Sequence, residues 1–64
     1  MDIRFDKEAD AIYLRFSDAK VFLSDEEKPG IIIDYDQQGG VVGIELLDAS
    51  KRTENPSKIN YEVG

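Results

Sequence analysis

The second half of the chain contains three carboxylates whose spacing could serve metal binding or acid–base chemistry: Asp34, Asp36 and Glu45. Asp34 and Asp36 are two residues apart in a segment that alternates like a β-strand, so both side chains project from one face. Glu45 joins them on that face if the flanking apolar runs pair across residues 37–40. Such a set could bind a hard cation such as Ca²⁺ or Mg²⁺, or form an acid pair. The competing interpretation is a polar outer face in which Asp36 stabilises a turn.

The rest of the composition narrows the chemistry further. The chain has no histidine and no cysteine, so it lacks the usual neutral-pH base, the thiol nucleophile and the ligands of structural zinc. The loop after Asp6 begins like a calcium-binding loop, but Ala11 stands where such a loop needs glycine and Ser17 where it needs glutamate. We therefore expect no enzymatic activity and no cofactor.

A predicted hairpin at residues 29–50 would position the three carboxylates. Runs of Ile and Val flank Gln37-Gln38-Gly39-Gly40, which is a hairpin signal. A four-residue loop predicts the cross-strand pairs Asp36–Val41, Tyr35–Val42, Ile33–Ile44 and Ile31–Leu46. The apolar members of these pairs form an inner face, and the carboxylates point to the outer face. They lie beside Gly43, a mid-strand glycine that suggests a bulge or close packing.

Residues 1–16 repeat this pattern. The same loop length predicts a first hairpin with the pairs Asp6–Ala11, Phe5–Ile12 and Ile3–Leu14. A shift of thirty residues aligns the two hairpins, so they are either an internal repeat or two solutions to the same turn problem.

A third strand begins near Val21. A further four-residue loop would place it beside the second strand, with Leu14 opposite Leu23. The run that follows, residues 24–28, is charged and suits an exposed loop or edge. The predicted fold is mainly β: an antiparallel meander of about five strands, built from two similar hairpins within a single domain at residues 1–51.

A sheet with one apolar face must bury that face, and this chain offers little to cover it. A chain of this size buries only about 60% of the surface that its unfolded form exposes. After the last strand there is a short helical turn, with Asp48 as the expected N-cap, and a tail at residues 52–64 that could be an extra strand or an arm. We therefore predict a homodimer in which two sheets pack face to face.

The charge and hydropathy of the chain indicate its partners and location. A net charge of −6 argues against nucleic acid binding. Residues 1–50 carry twelve acids against five bases, so we expect an acidic surface that suits a basic protein partner. No apolar run approaches the roughly 20 residues of a membrane span, and the N-terminus does not open a signal peptide. We expect a cytoplasmic protein that does not bind membranes.

Three ordered motifs carry a resemblance to a known family: FDxEADAIYL at residues 5–14, PGxxxDYD at residues 29–36 and GVVGIELLDAS at residues 40–50. Over residues 3–51 the chain resembles widespread short prokaryotic proteins classified as a domain of unknown function. Phe5 replaces the tyrosine usual there. The resemblance supplies no reaction, ligand or catalytic residue, and it implies a bacterial or archaeal cytoplasmic protein. Members of such families are sometimes encoded beside small toxin-like proteins, which suggests an antitoxin-like role.

Two functions from different classes follow. The first is a non-enzymatic protein-interaction module, homodimeric and acidic, that meets a basic protein partner. The alternative is a small domain that binds a divalent cation or a small ligand through Asp34, Asp36 and Glu45.

Overall fold

A computed structural model describes all 64 residues. It contains five antiparallel strands in one open sheet, followed by one short helix. The elements are β1 (Asp2–Asp6), β2 (Ala11–Arg15), β3 (Leu23–Lys28), β4 (Ile31–Tyr35), β5 (Val41–Leu46) and α1 (Ala49–Arg52). The predicted mainly-β fold with a helical turn after the last strand is confirmed. No helix has the length and apolar character needed to cross a membrane.

The strand order corrects the predicted meander. The order across the sheet is β1-β2-β5-β4-β3, so β2 pairs with β5 instead of β3. Leu14 therefore lies opposite Ile44, where Leu23 was expected. The physical reason lies in the two competing strands: β5 is apolar and gains a neighbour on both sides, whereas β3 is exposed along its whole length and carries charges that suit an edge. Residues 16–22 carry the chain from β2 to that far edge.

Both predicted hairpins form, and the first has the expected register. Asp6–Ala11, Phe5–Ile12 and Ile3–Leu14 are cross-strand pairs of β1 and β2, as predicted. In the second hairpin, Ile33–Ile44 and Ile31–Leu46 are also confirmed.

The register near the second turn is different from the prediction. Tyr35 lies opposite Val41 instead of Val42, because a β-bulge follows Asp34. The turn closes earlier than expected: the Asp36 amide donates to the Gly40 carbonyl at 2.8 Å, and Gly39 has a φ of 85°. One residue of β5 is therefore left over, and the bulge accommodates it.

The inner face of the sheet is defined by two cross-strand rows that run through all five strands. One row consists of Ile3, Leu14, Ile44, Ile33 and Asp25. The other consists of Phe5, Ile12, Leu46, Ile31 and Lys28. No second sheet covers these rows, and the molecule measures 34 × 31 × 19 Å. Only three apolar residues, Ala11, Val42 and Ala49, are buried.

The helix and the tail lie after β5. Asp48 occupies the predicted N-cap position, but its side chain makes no capping hydrogen bond because its backbone is left-handed, with a φ of 54°. The helix ends at Arg52, and no strand follows it in the single chain. The last backbone hydrogen bond runs from the Lys58 amide to the Asn55 carbonyl, at 3.1 Å, so residues 59–64 extend without a hydrogen-bond partner. Their role as an arm across a partner stays a prediction.

Candidate functional site

The outer face carries a hydrogen-bonded network centred on Asp34. The Tyr13 hydroxyl donates to Asp34 Oδ2 at 2.7 Å, and the Ser24 hydroxyl donates to Asp34 Oδ1 at 2.6 Å. The three residues stand on β2, β4 and β3, so the network crosses β5 and ties four strands together. Hydrogen bonds to a carboxylate are among the stronger ones that a protein makes. The network therefore stabilises the pairing of these strands in a sheet that has little buried core.

Gly43 makes possible the hydrogen bond between Tyr13 and Asp34, which crosses β5. It is the β5 residue between Arg15 of β2 and Asp34 of β4, and it is buried. A Cβ atom there would lie 2.7 Å from Cζ of Tyr13 and 2.8 Å from the carbonyl oxygen of Leu14. Only glycine lets the Tyr13 ring lie flat across β5, so the close packing predicted for this position is confirmed.

The network changes the acidity of the tyrosine. The hydrogen bond to Asp34 is the largest cause of a pKa for Tyr13 above its ordinary value of 10.0, followed by burial and the negative charge of Asp34. The phenol therefore stays protonated and acts as a donor. This is the protonation state that a structural brace needs, and the opposite of what a tyrosine general base needs.

The three predicted site carboxylates have different surroundings in the structure. Both carboxylate oxygens of Asp34 accept hydrogen bonds from neighbouring side chains. Glu45 lies on the outer face opposite Tyr13, whereas Asp36 turns into its own loop, where Oδ1 accepts the amides of Gln38 at 2.9 Å and Gly40 at 2.8 Å. No group of three or more acidic residues is placed to hold a metal ion. Asp36 thus has the turn-stabilising geometry of the competing interpretation.

A second polar contact, which sequence reasoning missed, joins residues forty positions apart. The Asp10 carbonyl accepts the Ala49 amide at 2.8 Å. Its carboxylate accepts the Ser50 amide at 3.0 Å and the Ser50 hydroxyl at 2.6 Å. Asp10 therefore supplies the N-terminal cap of α1 that Asp48 does not, and it docks the first motif on the third. The only indication in the sequence was that Asp10 and Ser50 both belong to motifs, which did not predict that they are in contact.

Arg52 fixes the other end of α1. Its Nε donates to the Leu47 carbonyl at 2.7 Å, and its Nη2 donates to the Pro29 carbonyl at 3.0 Å. The guanidinium lies against Gly30, whose φ is 76° and where any side chain would collide with it. The second motif is thereby joined to the helix as well, and all three motifs contribute to one closed arrangement.

The inner face contains two open hollows on opposite halves of the sheet. The first, of about 350 Å³, lies over β1 and β2 and is bordered by α1 and the tail. Its charged residues are Arg52 and Lys58, and we call this side the basic half. The second, of about 380 Å³, lies over β3 and β4.

The second hollow has the opposite charge. Its charged residues are Asp25, Glu27 and Asp36, and we call this side the acidic half. The Tyr35 hydroxyl donates to Glu27 Oε1 at 2.6 Å. That hydrogen bond is the largest cause of a raised Tyr35 pKa, followed by burial and the charges of Glu27 and Asp25. Phe22 and Leu23 line the same hollow and are 68% and 49% exposed.

The polar and the apolar side chains of the sheet differ in how they are engaged. The polar groups that face each other are already satisfied by one another, and no buried side-chain polar atom lacks a partner. The apolar side chains of the inner face are not buried to the same degree, because most of them are only half-buried and Ile3 is exposed. The candidate functional site is therefore the inner face with its two hollows.

Comparison with known proteins places the chain in a family. No curated protein and no solved structure gives a significant match. The model of one family, described as a protein of unknown function (DUF2283), matches residues 2–50. That span includes β1 to β5, the Tyr13–Asp34–Ser24 network and the Asp10–Ser50 contact. The chain therefore belongs to the DUF2283 family of proteins of unknown function.

Proposed function

We propose that this chain is a non-enzymatic protein-interaction module that binds another polypeptide through its inner face. The observation that carries the proposal is a pair of apolar rows that stay half-exposed on a sheet without a second layer. A sheet that is apolar on one face is stable only when that face is buried against another element.

The exposed area of the chain shows how much surface a partner could bury. The single chain exposes 5132 Å². A compact monomer of its mass, 7.2 kDa, exposes about 4,100 Å². The excess is on the order of 1,000 Å², which is comparable to the area that each partner buries in a protein–protein interface of standard size.

The outer face supports the non-enzymatic part of the proposal. Asp34 is engaged by Tyr13 and Ser24, and Asp36 by its own turn. A general base must reach the proton that it removes, and both oxygens of Asp34 already accept hydrogen bonds from protein side chains. The alternative of cation binding through Asp34, Asp36 and Glu45 has no comparable support, because the three carboxylates do not converge.

A basic protein partner is the second part of the proposal. The net charge is −6, and β3 presents Asp25, Glu26 and Glu27 at an exposed sheet edge. Complementary charge speeds association and selects partners. An antitoxin-like role, in which this acidic surface meets a basic toxin-like protein, is one form of such binding, and the support for it is the family resemblance together with this charge.

A site-specific photo-crosslinker tests the proposed use of the inner face. Ile3 and Arg4 are adjacent, both exposed and both on β1, but Ile3 belongs to the inner face and Arg4 to the outer. A photo-reactive amino acid at position 3 should form an adduct with a polypeptide in native lysate, and the same residue at position 4 is the matched control. Equal or absent adduct formation at the two positions would contradict the proposal.

A further inference from the structure

We infer that the polypeptide that covers the inner face is a second copy of this chain, packed sheet to sheet about a two-fold axis parallel to the strands. The inference rests on the proposed function, and it adds the identity of the partner and the geometry of the complex. Three independent features of the inner face support it: its area, its charge distribution and the position of the tail.

The area fits a dimer of two such sheets. Each partner in a standard interface buries about 800 Å², and the whole chain, with its exposed tail, has an excess of exposed surface on the order of 1,000 Å². The inner face is also broad, since it spans five strands that lie about 4.8 Å apart. Stacked sheets lie about 10 Å apart with interdigitating side chains. The part of the apolar rows that α1 and the tail leave accessible can therefore be covered by the inner face of a second copy.

The charges select one orientation of the two-fold axis. The first hollow has Arg52 and Lys58 but no acids, and the second has Asp25, Glu27 and Asp36. Lys28 also belongs to the inner face on β3, so the acidic half carries three acids and one base. An axis in the interface and perpendicular to the strands would stack each half on its own kind, acid on acid and base on base. An axis parallel to the strands places the basic half of each copy on the acidic half of the other. Like-charge juxtaposition is costly at an interface, so the second arrangement is favoured.

This orientation also gives the tail a partner. The tail borders the basic half through Ile59, and three of its alternating residues, Ile59, Tyr61 and Val63, are 54%, 75% and 81% exposed. In the proposed dimer Ile59 faces the acidic half of the other copy, where Phe22 and Leu23 are exposed. The axis runs along β5, the central strand, so Ile44 of one copy lies near Ile44 of the other.

Charge reversal with light scattering tests this dimer. Asp25→Lys and Lys58→Glu should each weaken self-association about tenfold, because each reverses a charge in one of the two facing halves and every such change occurs twice in a two-fold dimer. The double variant, which exchanges the two charges, should recover most of the affinity. Asp2→Lys makes the same change of charge on an edge strand but on the outer face, and it should leave the association constant unchanged. Circular dichroism checks that all four variants fold.

Introduced cysteines test the axis directly. The chain has no native cysteine, so Ile44→Cys should form a disulfide-linked dimer under mild oxidation, whereas Arg4→Cys on the outer face should not. A wild-type chain that is folded and monomeric at micromolar concentration overturns the inference. So does a dimer in which Asp25→Lys acts no more strongly than Asp2→Lys, or in which the double variant is no tighter than the single ones.

The outcomes separate this inference from the proposed function. If the crosslinker at position 3 attaches only to a different protein, the interaction module stands and the homodimer fails. If position 3 forms no adduct beyond that of position 4, both fail. An adduct of twice the chain mass, together with charge-swap recovery, supports both.

Discussion

Gly43→Ala is the perturbation whose effect the structure predicts most directly. The new methyl group would lie 2.7 Å from Cζ of Tyr13 and 2.8 Å from the carbonyl oxygen of Leu14. These distances are well inside ordinary contact, so the Tyr13 ring must leave its place across β5. Its hydrogen bond to Asp34 is lost with it.

The expected cost follows from these two events. Overpacking of this kind costs about 1–3 kcal/mol, and the loss of a hydrogen bond to a charged acceptor about 1.5–3 kcal/mol. Replacement of glycine returns about 0.4–1 kcal/mol through the unfolded state. We expect a net loss of about 2–5 kcal/mol, which is a large part of the roughly 3–10 kcal/mol available to a chain of 64 residues.

A double-mutant cycle with Tyr13→Ala isolates the contact. Without the tyrosine ring, the alanine at position 43 meets only the Leu14 carbonyl, so its cost should fall by about 2 kcal/mol or more. The assay is urea unfolding followed by circular dichroism, at one protein concentration because a dimer's stability depends on it. A cost below about 0.5 kcal/mol for Gly43→Ala, or the same cost in both backgrounds, would refute the reasoning.

Three further predictions concern the cap, the tyrosine and cations. Asp10→Ala removes the acceptor for the amide and hydroxyl of Ser50 and should lower the free energy of unfolding by about 1–2 kcal/mol in the same urea assay, whereas an unchanged midpoint would show that the cap is dispensable. The raised Tyr13 pKa means that the folded state holds the phenol proton more tightly than the unfolded state. The stability that the protonated Tyr13 contributes is complete below the ordinary pKa of 10.0 and is lost as the pH rises through the folded-state pKa. The free energy of unfolding should therefore fall as the pH rises from 10.0 to the folded-state pKa, and it should fall less steeply in Tyr13→Phe. Equal slopes in the two proteins would contradict this. Ca²⁺ or Mg²⁺ should leave the melting temperature unchanged, because Asp34 and Asp36 already have protein partners, and a rise that Asp34→Asn abolishes would restore the cation-binding alternative.

The sequence by itself determined the local features of this fold. Alternation of apolar and polar residues indicated which side chains share a face, and the turn residues indicated the hairpins β1–β2 and β4–β5. The pairs Phe5–Ile12 and Ile33–Ile44 were therefore predictable. The role of Gly43 as a point of close packing was also accessible, since a mid-strand glycine has few other uses. The acidic outer face followed from the same parity.

Only the tertiary structure decided the order of the strands. Leu14 has the same parity whether it pairs with Leu23 or with Ile44, so alternation cannot choose between them. The choice depends on the whole sheet, where the apolar β5 gains two neighbours and the charged β3 takes the edge. The bulge after Asp34 likewise depends on how the turn closes.

The candidate site depended on that order. Tyr13 reaches Asp34 only because β5 lies between β2 and β4, and Asp10 caps α1 only because β5 delivers the helix to the β1–β2 turn. Hydrophobic periodicity is a local property of the chain, whereas these contacts join residues 21 and 40 positions apart. The sequence thus determined that three carboxylates stand near one hairpin, and the tertiary structure decided that two of them are already engaged and that the open surface is the apolar one.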